Sequence, residues 1–126
     1  MKREALAELY KRYELTREDV FVQKLGGREI PTVTRTGVEK IQGKLGINLS
    51  YSLEHINEDA SCVVVKCIGS SKKEGIVLIE SYGEATPANC KQNYKVAMAE
   101  KRAKARVVLQ IAGFYRQGVY EEVEFE

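Results

Sequence analysis

The residues best suited to chemistry are positively charged and lie on one predicted helix, residues 90–114. Between Lys91 and Arg116 the chain has seven Lys or Arg residues and a single acid, Glu100. At 3.6 residues per turn, four of these cations align along one flank of the helix. We call them the basic stripe: Lys91, Lys95, Arg102 and Arg106. Exposed helices usually mix charges of both signs, so a stripe of one sign favours contact with a phosphate backbone. The alternative is a surface helix that is basic without any binding role.

The same helix is predicted to have an apolar face beside the basic stripe. Its members recur at i, i+3 and i+4 spacing: Tyr94, Ala97, Met98, Ala105, Val108, Leu109 and Ala112. Lys101 points into this apolar face, and Lys104 lies on its other side. Lys101 has two interpretations. Its aliphatic stem covers apolar surface, or the residue contacts nucleic acid in a groove at a subunit interface.

Further cations and aromatic residues extend the predicted nucleic-acid contacts. Arg35, Lys40 and Lys44 lie on or beside a short helix, and Lys66 is the one charge in a β-branched strand. Three tyrosines are candidates for stacking on bases: Tyr51, Tyr82 and Tyr94. For each of them, the alternative is a ring in the core with its hydroxyl at the rim.

The sequence contains few signatures of catalysis or of cofactor binding. The segment from Gly37 to Leu45 has five residues between its glycines and lacks the hydroxyl residue after Lys44, so it does not match a nucleotide-binding loop. The single histidine, His55, lies near a predicted turn with Glu54 and Glu58 close by in sequence, but a lone surface histidine is far more often passive than catalytic. With one histidine and no Cys-x-x-Cys pair, a zinc site has no ligand set. We therefore expect no enzyme activity, no cofactor and no metal.

Composition and charge predict one cytoplasmic domain with an acidic tail. The chain has 126 residues and a net charge of +2. Residues 1–116 hold 20 basic and 14 acidic residues, whereas residues 117–126 hold four glutamates and no base. One interpretation of the tail is a solvated terminus. The other is a functional segment, which either lies in a basic groove until DNA displaces it or docks a replication or nuclease partner. No apolar run is long enough to span a bilayer, no signal peptide is recognisable, and three cysteines do not suit a secreted disulfide scaffold.

The order of elements predicts an α+β sandwich. An amphipathic helix over 4–13 precedes a strand over 30–35, and Thr36 with Glu39 forms a capping box for a short helix ending at Gly46. Three strands joined by short loops then form an antiparallel meander, predicted over 47–53, 61–69 and 76–83. We expect the long basic helix to pack across one face of this meander.

Four segments together resemble the core of single-strand annealing recombination proteins. They are RTGVEKIQGKLGINLSYSL, CVVVKCIG, IESYGEA and YKVAMAEKRAKARVVLQIAGF. The resemblance, to the eukaryotic annealing mediators of the Rad class and the phage Erf-type recombinases, covers about residues 33–115. The Erf-type proteins close their long helix with an alanine- and arginine-rich run ending in Leu-Gly, which AKARVVLQIAG is similar to. The chain departs from that pattern at Lys104-Ala105-Arg106, where the family has adjacent arginines.

The resemblance implies an activity that agrees with the basic helix. Members of that family form rings or helical filaments, hold single-stranded DNA in a basic groove, and anneal complementary strands without ATP. We therefore expect single-stranded DNA as the ligand and a homo-oligomer as the assembly. Two other classes stay open: an RNA-binding or general nucleic-acid-binding α+β module, and a non-catalytic structural or interaction protein.

Overall fold

The protein is α+β, with two small sheets packed around a long helix. The computed structural model describes residues 2–73 and 75–126. Its helices are α1 (Lys2–Arg12), α2 (Arg35–Leu45) and α3 (Lys95–Ala112). Its strands are β1 (Val20–Leu25), β2 (Arg28–Val33), β3 (Asn48–Ile56), β4 (Val63–Ser71), β5 (Ile76–Ala85) and β6 (Tyr120–Glu121).

The main sheet is the predicted antiparallel meander, in the order β3-β4-β5. Alternate residues of β4 are fully buried, including Val63, Val65 and Cys67, as expected for a strand with one covered face. The cover is α3, which packs mainly against β4 and β5. The prediction of a long helix packed on a three-stranded meander is therefore confirmed, and one edge of the sheet is left uncovered.

The long helix is shorter at its start than predicted. It begins at Lys95 instead of residue 90 because the Lys95 Nζ donates hydrogen bonds to the carbonyls of Cys90 and Gln92, both at 2.6 Å. These contacts hold the preceding segment in a loop. At the other end Gly113 adopts the left-handed conformation that terminates the helix.

The capping of α2 differs from the prediction by two residues. Thr34, not Thr36, is the N-cap, and its hydroxyl accepts a hydrogen bond from the Gly37 N–H at 3.2 Å. Thr36 instead lies within the first turn. The predicted stop at Gly46 is confirmed, with φ of 60° at that residue.

A second sheet, in the order β1-β2-β6, contacts α3 through its strand β6. The sequence indicated only a strand over 30–35. The structure has an antiparallel β1–β2 hairpin around the Gly26-Gly27 turn. β1 was missed because it is an edge strand with side chains exposed on both faces, so it lacks apolar alternation.

The last ten residues are not a solvated tail. Tyr120 and Glu121 pair with β2 in parallel, and residues 122–125 form a short 3-10 helix. Val119 and Val123 are fully buried in the core. The boundary expected after residue 116 therefore does not separate a folded domain from a tail, because apolar residues interleave with the glutamates.

The closest approach of α3 to the main sheet occurs at Gly83 on β5. A Cβ at this position would overlap the backbone of Ala99 and Ala103 on α3. We expect Gly83→Ala to lower the free energy of unfolding by roughly 1–3 kcal/mol, because neither backbone can move away without displacing the helix. Chemical denaturation measures this change. The control is Gly43→Ala in α2, where a Cβ has open space and better helix propensity should raise stability by about 0.5–1 kcal/mol. Equal effects at both sites would contradict the close packing.

Candidate nucleic-acid interface

The long helix α3 is enclosed on several sides, and this decides what its cations can do. The main sheet covers one side, and α2, β6 and the C-terminal 3-10 helix contact others. Ten of its eighteen residues are buried. A helix with so much buried surface has no continuous exposed flank for the basic stripe, and the structure distributes the four cations of that stripe among different roles.

Arg102 is a structural residue, and its predicted role as a phosphate contact is wrong. Its side chain is only 2% exposed. Five hydrogen bonds use its guanidinium: to the carbonyls of Glu84, Asn89, Val123 and Glu126 and to the Asn89 side-chain oxygen, at 2.8–3.3 Å. A guanidinium has five N–H donors, so no donor remains for a phosphate. Arg102 thus fastens β5, the loop before α3 and the C-terminal segment to the helix.

Arg106 is also held inside the protein rather than presented to solvent. It forms bidentate ion pairs with Glu124, at 2.8 Å, and with Glu84, at 2.9 and 3.2 Å. It also donates to the Tyr82 carbonyl at 2.6 Å. The hydrogen bonds that Arg106 donates to Glu124 and then to Glu84 hold its pKa above the ordinary value despite burial. Its prediction as an exposed phosphate contact is wrong because two carboxylates already neutralise it.

The other two members of the basic stripe lie before or at the start of α3. Lys95 is half-buried and bonded to loop carbonyls, as described above. Lys91 is exposed in the preceding loop and has no ion-pair partner among the described residues. The stripe therefore does not exist as one surface. Only Lys91 keeps the exposure that the sequence predicted for all four.

Three of the additional candidate cations are neutralised by acids. Lys40 forms an ion pair with the buried Asp19 at 2.7 Å. Lys44 pairs with Glu14. Lys66 lies 3.8 Å from Glu54 on the side of the main sheet facing away from α3. A phosphate contact at any of these lysines would have to replace its ion pair.

The remaining candidates, Arg35, Lys101 and Lys104, converge although they come from different elements. Together with Val38, they line a cavity of about 200 Å³ between α2, α3 and the C-terminal segment. Arg35 is largely exposed and has one exposed ion pair, with Glu39 at 3.4 Å. Lys101 and Lys104 have no ion-pair partner in the described part of the chain. The convergence of these three cations was not visible in the sequence, because it depends on how α2 crosses α3.

Carboxylates of the C-terminal segment border the same cavity. Glu122 accepts a hydrogen bond from the Arg35 N–H at 3.2 Å, so it occupies the amino end of α2 as an anion would. Glu121 is buried and accepts from the Val123 N–H at 2.9 Å. Burial raises the pKa of Glu121 to about 7, since the single backbone hydrogen bond does not offset desolvation and the nearby charges of Glu122, Glu126 and Glu124.

Tyr51, on the outer strand of the main sheet, is another exposed ring. It lies opposite Cys67 in register and so faces the α3 side of the sheet, and it is 40% exposed. Burial, followed by the charge of Glu100, raises the pKa of Cys67 to about 11, while a hydrogen bond with Tyr51 and the charge of Lys104 lower it.

Tyr94 completes this surface at the start of α3. Its ring is 53% exposed, and the Lys101 Nζ lies 5.9 Å from the ring centroid, a cation–π contact. Both residues line a second depression, of about 520 Å³, with Val96 and Ala60. We name the set Arg35, Lys101, Lys104, Tyr51 and Tyr94 the candidate surface.

The predicted stacking tyrosines are all partly exposed, so the alternative of core tyrosines is wrong. They do not share one face, however. Tyr82 lies opposite Lys66 in register, on the side of the main sheet away from α3, where Glu80 and Glu84 are its neighbours along the strand. The predicted placement of Tyr94 and Lys101 on one side of the helix agrees with the contact between them. The many small residues around Arg102 were a signal that this helix is packed closely on several sides.

No protein-family model matches this sequence, and no curated protein aligns with it significantly. Within residues 2–73 and 75–126, no helix has the length and hydropathy needed to cross a membrane. The candidate surface is therefore interpreted from its own chemistry.

The burial of Arg102 predicts a large effect of its removal on stability. We expect Arg102→Ala to lower the free energy of unfolding by roughly 2–4 kcal/mol, because several buried acceptors lose their donor at once. Lys101→Ala, at the neighbouring exposed position, should change stability by no more than about 0.5 kcal/mol. Thermal and urea unfolding of both variants test this contrast. An Arg102→Ala protein as stable as the wild type would contradict the structural role and make Arg102 a candidate ligand contact again.

The buried carboxyl of Glu121 predicts a pH-dependent stability. Its pKa in the folded state, about 7, is above the ordinary value of 4.5. The folded state therefore favours the protonated form. The associated stability is fully present below pH 4.5 and is lost as the pH rises through 7, by up to roughly 3 kcal/mol.

Urea unfolding from pH 5 to pH 8 measures this loss. Glu121→Gln should flatten the curve, since its amide stays neutral throughout this range. Glu8→Gln, which replaces an exposed carboxylate of α1, serves as the control and should keep the wild-type slope. An unchanged slope in Glu121→Gln would exclude this carboxyl as the source.

Proposed function

We propose that this protein binds single-stranded DNA and anneals complementary strands without ATP. The observation that carries the proposal is the candidate surface. Three cations of α2 and α3 share one cavity, Lys101 also contacts the exposed Tyr94 ring, and Tyr51 is exposed on the α3 side of the main sheet. The resemblance to annealing recombination proteins agrees with this activity. The surface differs from the one expected from the sequence, because Arg102 and Arg106 have no part in it.

The cations of the candidate surface suit contact with phosphate rather than with bases. Lys101 and Lys104 carry point charges on flexible stems, and Arg35 adds a planar group at the amino end of α2. Such contacts are independent of sequence and weaken with salt as counterions are released. Sequence-independent contact is what annealing requires, because the base edges must stay free to pair with a second strand.

The tyrosine rings supply the second component of single-strand binding. Tyr51 and Tyr94 present exposed faces on which bases can stack, an interaction worth about 1–3 kcal/mol per base. Burial of its hydroxyl raises the pKa of Tyr51 to about 12, so the phenol stays uncharged and does not repel phosphate. Duplex DNA cannot offer unstacked bases, and the surface therefore favours single strands.

The acids of the C-terminal segment limit the affinity of one subunit. Glu121, Glu122 and Glu126 border the same cavity as the three cations, so the local net charge is small. A weak site of this kind binds DNA tightly only when several subunits act along one strand, which raises the effective concentration of each following contact. We therefore propose a homo-oligomer larger than a dimer, in the form of a ring or a helical filament.

Removal of the three cations should abolish salt-dependent DNA binding. We expect the triple variant Arg35→Ala, Lys101→Ala, Lys104→Ala to lose most of its affinity for single-stranded DNA. For the wild type, three phosphate contacts imply a log–log salt slope of about −2 per subunit. Fluorescence anisotropy with labelled oligonucleotides over a salt series measures both quantities. A strand-annealing assay with and without ATP then tests the activity.

The matched control removes three other exposed cations, Lys11, Arg12 and Arg17, which lie in or shortly after α1. It has the same net charge as the triple variant and should bind almost as well as the wild type. Equal losses in both variants would indicate that only total charge matters. Preference for RNA over DNA of the same sequence would favour a general RNA-binding module. An absence of salt-sensitive binding to any nucleic acid would favour a structural or interaction protein.

A further inference from the structure

One edge of the main sheet carries apolar side chains that nothing in the described chain covers. β3 is paired on one side only, with β4. Leu53 and Ile56 lie opposite the buried Val65 and Val63 in register, yet they are 54% and 43% exposed. An open strand edge with exposed apolar residues is a pairing site for another strand. We name this feature the β3 edge.

A second open edge with the same property belongs to the β1–β2 hairpin. β1 is the outer strand of its sheet. Along β2, exposure increases from the buried Thr32 and Val33 toward the Gly26-Gly27 turn, and β1 is largely exposed along its length. Phe21, Val22 and Leu25 are all exposed large apolar residues of β1. The hairpin therefore projects an apolar edge away from its own core.

The two edges have complementary charge. Residues 53–62, which include the end of β3 and the following turn, contain Glu54, Glu58 and Asp59 but no Lys or Arg. Glu54 is paired with Lys66, which leaves Glu58 and Asp59 without a basic partner among the described residues. The hairpin tip carries Lys24 and Arg28 against a single acid, Glu29. A basic tip and an acidic edge attract each other, whereas two copies of either would repel.

The other open edge of the main sheet is less suited to pairing. On β5, Arg106 already donates to the Tyr82 carbonyl and binds the Glu84 side chain. Leu78 is exposed there, but it is followed by Glu80 rather than by another apolar residue on the same face. The β3 edge is therefore the better acceptor for an added strand.

We propose that the β1–β2 hairpin of one subunit docks on the β3 edge of the next subunit. The partner that covers this edge is thus a second copy of the chain. Because the two surfaces are different, the contact is heterologous and repeats from subunit to subunit. In this contact, the apolar side chains of Phe21 and Leu25 would pack on Leu53 and Ile56 of the next subunit and supply the affinity. An ion pair between Arg28 and Glu58 would fix the register of the two strands. This inference rests on the proposed oligomer and names its interface, but it does not require DNA.

Mixing of two complementary variants tests the interface. Light scattering without DNA should give an assembly larger than a dimer for the wild type, and monomers for Phe21→Glu and for Leu53→Glu. Each variant retains one intact surface, so an equimolar mixture should form a heterodimer of twice the monomer mass. Leu78→Glu, on the exposed part of β5, is the matched control and should keep the wild-type mass.

A second pair of variants tests the interface without replacing apolar residues, in case Phe21→Glu or Leu53→Glu misfolds. It exchanges the charges of two exposed residues, Arg28 and Glu58. Arg28→Glu and Glu58→Arg should each reduce assembly, and the protein carrying both changes should recover it. Any one of four results would overturn the proposal. They are a monomeric wild type, dissociation of the assembly by Leu78→Glu, no heterodimer in the mixture, and no recovery of assembly in the protein with exchanged charges. Salt-dependent DNA binding by monomeric Leu53→Glu, measured in parallel, separates failure of this interface from failure of the proposed DNA-binding function.

Discussion

The guanidinium group of Arg102 holds together parts of the chain that are far apart in sequence. It donates to β5, to the loop before α3 and to the C-terminal segment, each of which would otherwise leave carbonyl groups unpaired next to a buried helix. The planar guanidinium can serve these acceptors in fixed directions, which an ammonium on a flexible stem cannot. Arg106, one turn later, adds two carboxylates to the same junction. The position of the C-terminal segment, and with it the shape of the cavity beside α2, depends on this junction.

The junction also divides the charge of α3 into two functions. Arg102 and Arg106 of α3 donate their hydrogen bonds to acceptors within the protein, whereas Lys101 and Lys104 of the same helix keep their charge at the surface. The division agrees with the chemistry of the two side chains, because Arg gains most where several acceptors are fixed in one plane and Lys is tolerated where contacts change. A helix can therefore be uniformly basic in sequence and yet present only part of that charge to a ligand.

The uncovered β3 has a comparable origin. The helix approaches β5 very closely at Gly83, where Ala99 and Ala103 lie against the strand, and this contact sets the helix over β4 and β5. On the outer strand β3, away from this contact, Tyr51, Leu53 and Ile56 remain 40%, 54% and 43% exposed. The exposed Tyr51 ring and the open apolar edge therefore belong to the same strand.

The sequence alone determined the local elements whose signals depend on near neighbours. Alternation over 47–53, a β-branched run over 61–69 and an apolar segment over 76–83 predicted the three strands of the meander, and Gly46 marked the end of α2, as found in the structure. Helical periodicity predicted α3, although the helix begins at Lys95 instead of residue 90. The predicted N-cap of α2 was wrong, and the strand β1 was missed. Two threonines compete for the cap within three residues, and an edge strand exposed on both faces has no alternation to detect.

Only the tertiary structure decided which cations are available. Lys101, Arg102 and Arg106 look alike in sequence, since each is a basic residue on the same helix. Their difference lies in what packs against each position: β5 and the C-terminal glutamates bury two of them, and solvent surrounds the third. Those glutamates were expected in a solvated tail, because sequence composition does not reveal that Val119 and Val123 anchor them in the core. Burial is set by contacts between residues distant in the chain, so periodicity fixes the side of a helix on which a charge lies, but not what it meets there.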